Sequence, residues 1–436
     1  MKKIYIESLG CSKNQVDSEK MLFILNKNGY QKTELPEEAD CILINTCCFI
    51  RPAKEEAIET ILELLEYKKK GKCKKIVVAG CLAQYYSKTL LNEMPEIDLI
   101  FGIGNISLVI DAINKEDKVV IPNYSKDDLT GRTLISYPGS AYLKISEGCS
   151  NYCSYCIIPY VRGPFRSRDI YNIIEELNFL KKKEIKEIII ISQDTTKYGV
   201  DLYNKNMLSE LINQIELVLD KEDWIRLLYL HPDHLDMDMM SKLKDSKKLI
   251  PYFDIPFQSG SNKILKLMNR KNTNEYYLDL INNLRSIFKD PVLRSTFITG
   301  FPGENDTDFK ETLAFIKEAK FDWVGGFIYS KENNTEAKKL KGHLKDSIKS
   351  KRLKQLLNLT ERITLDRLKR FIGTEQKILI EEKVEKENLY IGRFWGQAPE
   401  VDGLTVVESN NARIGDFIKV KIKKLNGIDF YAKESS

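Results

Sequence analysis

Two runs of strand-then-helix alternation, separated by one break, constrain this chain more than any other feature. Short β-branched runs come first, KIYIES, CILINT, KIVVAG and IDLIFG, with helical patterns between them over 18–28, 53–67 and 84–92. A βαβα order of this kind predicts a parallel sheet with helices on its faces. Between Lys115 and Pro138 the sequence KEDK, Pro122, KDD and Gly131 breaks every period and reads as a linker. A second alternation then begins at AYLKIS (141–146) and passes through EIIIIS, WIRLLYL, LIPYFDIP, VLRSTFITG and FDWVGGFIY. Six strand–helix repeats predict a partial parallel (β/α)6 barrel, short of the eight that closure needs. The chain turns basic and helical over 341–371, and five short strands separated by Gly, Asn and Pro turns follow Gly373, the size of a small five-stranded β-barrel. The fold class is α/β with a terminal β-barrel, divided as 1–117, a linker over 118–134, 135–368 and 369–436.

Nine cysteines stand against three histidines. The opening MKKIYIESLG lacks an apolar leader core, and no run of eighteen apolar residues follows. The expectation is a cytoplasmic chain with no membrane association and reduced thiols, whose cysteines are buried fillers, nucleophiles or metal ligands. The 68 Lys and Arg nearly cancel the 63 Asp and Glu, leaving +5, too little for a general nucleic-acid binder.

In SEGCSNYCSYC, Cys149, Cys153 and Cys156 form CxxxCxxC directly after the first strand of the second series, where barrel sites lie. Three thiolates in one loop can hold an iron–sulfur cluster and leave one iron open, since such clusters usually take four. A zinc site with a distant fourth ligand is the alternative. A second set is dispersed. Cys11 follows KIYIESLG, Cys47 follows ILINT and Cys81 follows KIVVAG, so each stands just past a strand's carboxyl end, and all three can meet at one rim of a parallel sheet. Cys41 and Cys73 lack that placement and read as structural or incidental; Cys48, adjacent to Cys47, could substitute for it as a ligand, although neighbouring strand-end side chains tend to point apart.

The CxxxCxxC loop, with Tyr155 before its last cysteine, resembles the radical S-adenosylmethionine (SAM) enzymes. The resemblance implies that SAM chelates the open iron and is cleaved to a 5′-deoxyadenosyl radical. Around it, ISQD (Gln193), PFQSGS (Gln258, Ser259) and ITGFPGE (Gly300, Gly303, Glu304) offer small and polar residues suited to a SAM cradle; for each glycine a plain turn is the competing reading. LGCSKNQVDSE, INTC, AGC and SEGCSNYCSYCIIPYVRGPFRSR extend the likeness to the methylthiotransferase family over nearly the whole chain. That family implies an amino-terminal cluster domain, a radical SAM core and a terminal TRAM barrel. It also implies two [4Fe–4S] clusters, one on Cys11, Cys47 and Cys81 and one on Cys149, Cys153 and Cys156, together with two SAM molecules, a sulfur donor and a reducing partner such as flavodoxin or ferredoxin. No catalytic residue of the chain itself is singled out.

Within the family, SLGCSKNQVDSE, ISQDTTKYG and GRFWGQAPEVDG resemble the branch that modifies the β-carbon of an aspartate in ribosomal protein S12, alone or in the small subunit. The terminal barrel, which the family likeness expects to meet substrate, carries ten basic and eleven acidic residues. Glu381, Glu382, Glu385, Glu400 and Asp402 suit a basic protein partner better than RNA phosphates. Two departures stand against this: Ser259 in PFQSGS resembles the branch that modifies a tRNA adenosine next to the anticodon, and Cys48 replaces a small residue after INTC. A non-catalytic Fe–S or zinc module that binds RNA is the reading from a different class. His231 and His234 have HxxH spacing, but on a turn with Pro232 they read as polar surface or strand-end groups rather than a metal pair.

Overall fold

The computed structural model describes residues 2–124 and 129–435; residues 125–128 of the expected linker lie outside the described residues. The first sheet is parallel throughout, in the order β2-β1-β3-β4-β5-β6, with β1 Lys2–Ser8, β2 Tyr30–Lys32, β3 Cys41–Thr46, β4 Lys75–Ala79, β5 Leu99–Phe101 and β6 Val119–Val120. The four expected strands are present. β2 and β6 are three and two residues long, too short to show a period. All six residues of β3 are buried, as befits a central strand covered on both faces. Helices α1 (Ser12–Lys27), α2 (Arg51–Lys70) and α3 (Gly80–Glu93) follow β1, β3 and β4.

The second sheet holds β7 Ser140–Lys144, β10 Glu187–Ile191, β11 Trp224–Leu227, β12 Leu249–Asp254, β13 Val292–Thr299 and β14 Trp323–Ile328, side by side in that order, all parallel and open. It is the six-stranded partial barrel. Alternate residues divide its two faces. Leu143, Ile188, Ile190, Leu227, Phe253 and Leu293 pack outward on the helices. A two-stranded ribbon, β8 Ser146–Glu147 with β9 Arg166–Ser167, brackets the CxxxCxxC loop.

The last domain is a closed barrel, β15-β16-β17-β19-β18, of β15 Glu375–Lys383, β16 Leu389–Phe394, β17 Thr405–Glu408, β18 Phe417–Asn426 and β19 Asp429–Glu434. It sits where the strands of the partial barrel begin. Tyr142, Ile189, Trp224, Val292 and Trp323 share one core with Phe371, Ile378, Phe394 and Ala398. Trp323 Nε1 donates to the Gly396 carbonyl at 2.9 Å and Arg226 to that of Trp395 at 3.0 Å. Glu187 accepts from Arg226 and from Arg393, each at 2.7 Å, with all three side chains buried.

This docking corrects the expectation for the GRFWGQAPEVDG segment and its acids. Glu381 is held by Arg393 at 2.6 Å. Asp402 is buried, accepting from Tyr252 Oη at 2.5 Å and the Ala398 N–H at 2.8 Å. Buried acids need such partners, and these two bind the protein itself, at the end of the barrel away from the cysteine loop. Only Glu382, Glu385 and Glu400 remain on the surface. Among the described residues no helix is long and apolar enough to cross a membrane.

Candidate metal centres and the cavity between them

At the rim of the first sheet, three strand-to-helix turns converge. Cys11 immediately precedes α1, Cys47 follows β3, and Cys81 is the second residue of α3. Helix starts present unpaired N–H groups that favour anions. Close approach there depends on two glycines. A Cβ on Gly10 (φ +90°) would lie 2.5 Å from Cys47 Cβ, and one on Gly80 (φ +92°) would lie 2.2 Å from Asn45 Oδ1. Asn14 ties the turns together. Its Nδ2 donates to the Leu9 and Thr46 carbonyls at 2.9 and 3.0 Å, and its Oδ1 faces Cys81 Sγ at 3.6 Å. Thr46 Oγ1 completes the tie to the Ala79 carbonyl at 2.6 Å.

Burial opposes thiolate formation at all three cysteines. At Cys11 it is outweighed by Lys13, Arg162 and backbone N–H groups, and the pKa falls. Burial and repulsion from Cys11 raise Cys47, and burial pushes Cys81 up to about 12. A bound cation would supply what these two lack, since a metal binds the deprotonated ligand.

The CxxxCxxC loop is pinned on every side. The Cys149 N–H donates to the Gly163 carbonyl at 3.1 Å, Ser154 N–H to Met268 O at 3.1 Å, and Ala337 N–H to Ser154 O at 2.7 Å. Burial pushes Cys149 up to about 12 and holds Cys156 still higher, with Cys153 adding repulsion at both. Tyr155 Oη accepts from Arg270 at 2.9 Å.

All nine cysteines are free. Zinc thiolates at about 2.3 Å from one ion lie roughly 3.8 Å apart. Among the described residues the only group of three whose ligand atoms all lie within 4.8 Å is Asp194, His231 and His234. Neither cysteine triad is drawn in to the spacing of one zinc ion. Free thiols, three of the six buried and three partly exposed, at wider spacing fit the larger body of an iron–sulfur cluster.

Of the two readings of the histidines, surface or strand-end groups, the surface one fails, since their side chains are 11% and 15% exposed. Their rings stack at 4.6 Å, and His234 Nδ1 lies 2.8 Å from Asp194 Oδ2, which also accepts from Asn151 of the cysteine loop at 2.7 Å. Arg270, a donor only, donates to His231 Nε2 at 2.7 Å. That nitrogen is therefore an acceptor and unavailable to a metal; burial and Arg270 hold the His231 pKa down at about 3. The group clamps the loop.

A cavity of about 130 Å³ is lined by Phe49 and Ile50, which follow Cys47 and Cys48, and by Tyr155, Gln258, Phe327, Tyr329 and Glu332 among others. Of the SAM candidates, Tyr155 and Gln258 line it, and Gln258 Oε1 is buried without a partner. Gln193 donates to Glu147 at 2.7 Å, leaving its own Oε1 unpartnered. Ser259, Gly300 and Glu304 do not line the cavity. Ser259 Oγ meets Thr312 Oγ1 at 3.3 Å, and Glu304 accepts from the Gly300 N–H at 2.9 Å and from Arg352 at 2.6 Å. The serine that set this chain apart from its branch is thus inside the protein. Cys41 and Cys73 are buried. Cys48 is buried in the apolar core of the first sheet, yet near enough to Cys81 and Cys47 that both help raise its pKa.

Asn14, Arg162 and Arg270 were not singled out in sequence, although Asn14 lies within LGCSKNQ and Arg162 within YVRGP.

Comparison with known proteins gives three family matches: "Uncharacterized protein family UPF0004" over residues 3–102, "Radical SAM superfamily" over 143–316 and "TRAM domain" over 372–434. Ribosomal protein uS12 methylthiotransferase RimO of Clostridioides difficile (strain 630) is 44% identical over 431 residues, covering 97% of this chain and 96% of the relative. The protein of that name from Pelotomaculum thermopropionicum is 44% identical over 429 residues, with the same coverage. Among solved structures, the radical SAM methyltransferase TsrM of Kitasatospora setae, with cobalamin and a [4Fe–4S] cluster bound, matches with TM-score 0.57 at 11% identity over 77% of each chain. The cobalamin-dependent radical SAM enzyme OxsB matches with TM-score 0.53 at 14% identity, over 83% of this chain and 56% of that one. At such identities the likeness is one of fold.

Proposed function

Because the chain belongs to the RimO family of radical SAM methylthiotransferases, we propose that it adds a methylthio group to the β-carbon of an aspartate of ribosomal protein uS12, using two [4Fe–4S] clusters and two molecules of SAM. Cys11, Cys47 and Cys81 hold one cluster; Cys149, Cys153 and Cys156 hold the other and leave an iron for SAM. Together these groups supply the electron, the radical and the methylated sulfur. The chain supplies place and shelter. Tyr155 and the unpartnered oxygens of Gln258 and Gln193 offer acceptors to the amino and hydroxyl groups of SAM. Arg270 orients the Tyr155 ring. Phe49, Ile50 and Phe327 form apolar walls; Phe49 and Phe327 are exposed at the cavity's mouth, where bound substrate would cover them and exclude water.

One observation carries this reading. The cavity is lined by Phe49 and Ile50, directly after Cys47 and Cys48, and also by Tyr155, next to Cys156. A side chain seated there would lie beside residues that adjoin both cysteine sets, which would supply the sulfur species and the radical. A cytoplasmic flavodoxin or ferredoxin and a sulfur donor complete the system. The test is to incubate reduced enzyme, sulfide and SAM with free uS12, with small subunits and with tRNA, and to measure CH₃S added to each. Addition to the aspartate of uS12 is expected; a product on tRNA alone overturns the reading.

A further inference from the structure

Four charged side chains are largely buried where α1 meets the cysteine loop of the barrel. Arg162, 1% exposed, donates through Nη1 to both oxygens of Glu147 at 2.9 Å, reaches Asp17 Oδ2 at 3.2 Å, and donates through Nη2 to Asn14 Oδ1 at 2.5 Å. Lys144 spans Asp17 at 2.5 Å and Glu147 at 2.9 Å. The Asn14 oxygen that Arg162 holds is the one facing Cys81 Sγ at 3.6 Å. The next residue along, Gly163, accepts the N–H of Cys149 at 3.1 Å. One short segment thus touches both cysteine sets, by its side chain and by its backbone.

Two carboxylates and two cations cancel, so what matters is direction. The guanidinium lies on the Cys81 side, and Glu147 on the side of Gln193. A cluster on three thiolates is anionic, and a neighbouring positive charge favours the electron it takes up. Arginine also keeps its charge at every working pH and can grip three partners at once.

We propose that Arg162 is a positioning residue for the cluster on Cys11, Cys47 and Cys81: it raises that cluster's reduction potential and fixes the first sheet's cysteine rim to the barrel's cysteine loop. This rests on the two-cluster reading above. The test begins from the full chain carrying Cys149→Ala, Cys153→Ala and Cys156→Ala, reconstituted anaerobically. If this parent binds no cluster, the two-cluster reading itself fails, and the proposal with it. If it binds one, Arg162→Gln is expected to move the midpoint potential of that cluster to more negative values in an EPR-monitored titration and to change its g-values. An unchanged potential and spectrum overturns the proposal, as does a fall in iron content with no change in the cluster that remains, the mark of a merely structural role. Gln leaves Asp17 and Glu147 short of a cation; if that variant does not fold, Arg162→Lys decides. Lysine keeps the charge with less reach, so a smaller shift in the same direction is expected, and a potential equal to the parent's overturns the proposal. Arg285→Gln is the control, because Arg285 donates to the Ala319 and Lys320 carbonyls on the helical side of the partial barrel, and no shift is expected from it.

Discussion

Replacing Glu187 by glutamine should loosen the terminal β-barrel from the base of the partial barrel. Glu187 has no exposed side-chain surface and accepts from Arg226 Nε and Arg393 Nη2, each at 2.7 Å. Burial disfavours its charge, but Arg393 and Arg226 outweigh that and hold the carboxyl below its ordinary range. Glutamine keeps the shape and one acceptor, yet turns an amide donor toward the other arginine. Removing one partner of a buried pair costs about 3–5 kcal/mol. Arg393 retains Glu381, and Arg226 retains the Trp395 carbonyl and the Tyr252 ring at 4.6 Å, so the low end applies. About 3 kcal/mol corresponds to roughly a 150-fold shift in the docking equilibrium. Tryptic cleavage after Lys369 or Arg370, between the two barrels, reads the undocked fraction when opening is fast and should accelerate by about that factor. Glu222→Gln, at an exposed pair with Lys377, should change it by less than about fivefold. Equal cleavage rates in Glu187→Gln and the unaltered protein would refute the reasoning.

Other expectations concern the cysteine centres and pH. Cys153→Ala should abolish SAM cleavage, whereas Cys47→Ala should lose about half the iron and all methylthio transfer but still form deoxyadenosine; methylthio transfer by the Cys47 variant would point to Cys48 as ligand. Gly80→Ala forces a side chain into a left-handed turn against Asn45, a strain of about 1–3 kcal/mol, and iron analysis should show the first cluster depleted before the second. Burial raises Asp402 to about 6, so its contribution to stability is complete below its unfolded pKa and is lost as pH rises through about 6. Over that window urea unfolding should show a loss of about 3 kcal/mol, which Asp402→Asn should abolish.

Strands such as β4 and β10 were legible because they are buried on both faces and read as apolar runs. The convergence of Cys11, Cys47 and Cys81 was legible for a related reason: parallel strands place their following residues at one rim. Helix α1 was not legible in the same way. Its Ser12, Asn14, Asp17, Glu19 and Lys20 are all buried, against every hydropathy expectation. Their partners, Arg132, Lys144, Arg162 and Glu176, come from more than a hundred residues away, and no local period encodes that. The terminal barrel misled because tertiary partners, near and far in sequence, bury its acids. Glu381 and Asp402 look like surface charges until Arg393 and Arg294 are set beside them. His231 and His234 gave only a weak spacing signal, and what fixes their role is Arg270, distant in sequence.

The joint between the first sheet and the partial barrel is unequal on its two sides. Along α1 it is fastened by buried charges, Lys20 and Arg132 with Glu176, Arg132 with Glu19, and Lys144 and Arg162 with Asp17. Parting any one of these leaves a charge stranded, at about 3–5 kcal/mol. Along the opposite edge the contacts are mostly exposed: Arg51 N–H to Ser330, Lys54 to Glu332, Tyr85 to the Asn333 carbonyl and Asn334 to Tyr85. The exposed contacts are worth about 1 kcal/mol or less apiece, whereas Lys54 holds a Glu332 side chain that is only 3% exposed. The joint is therefore firmer along α1 than at the loop 330–334. Because Ser330 and Glu332 line the cavity, a change in that loop reaches the cavity before it disturbs either cysteine rim.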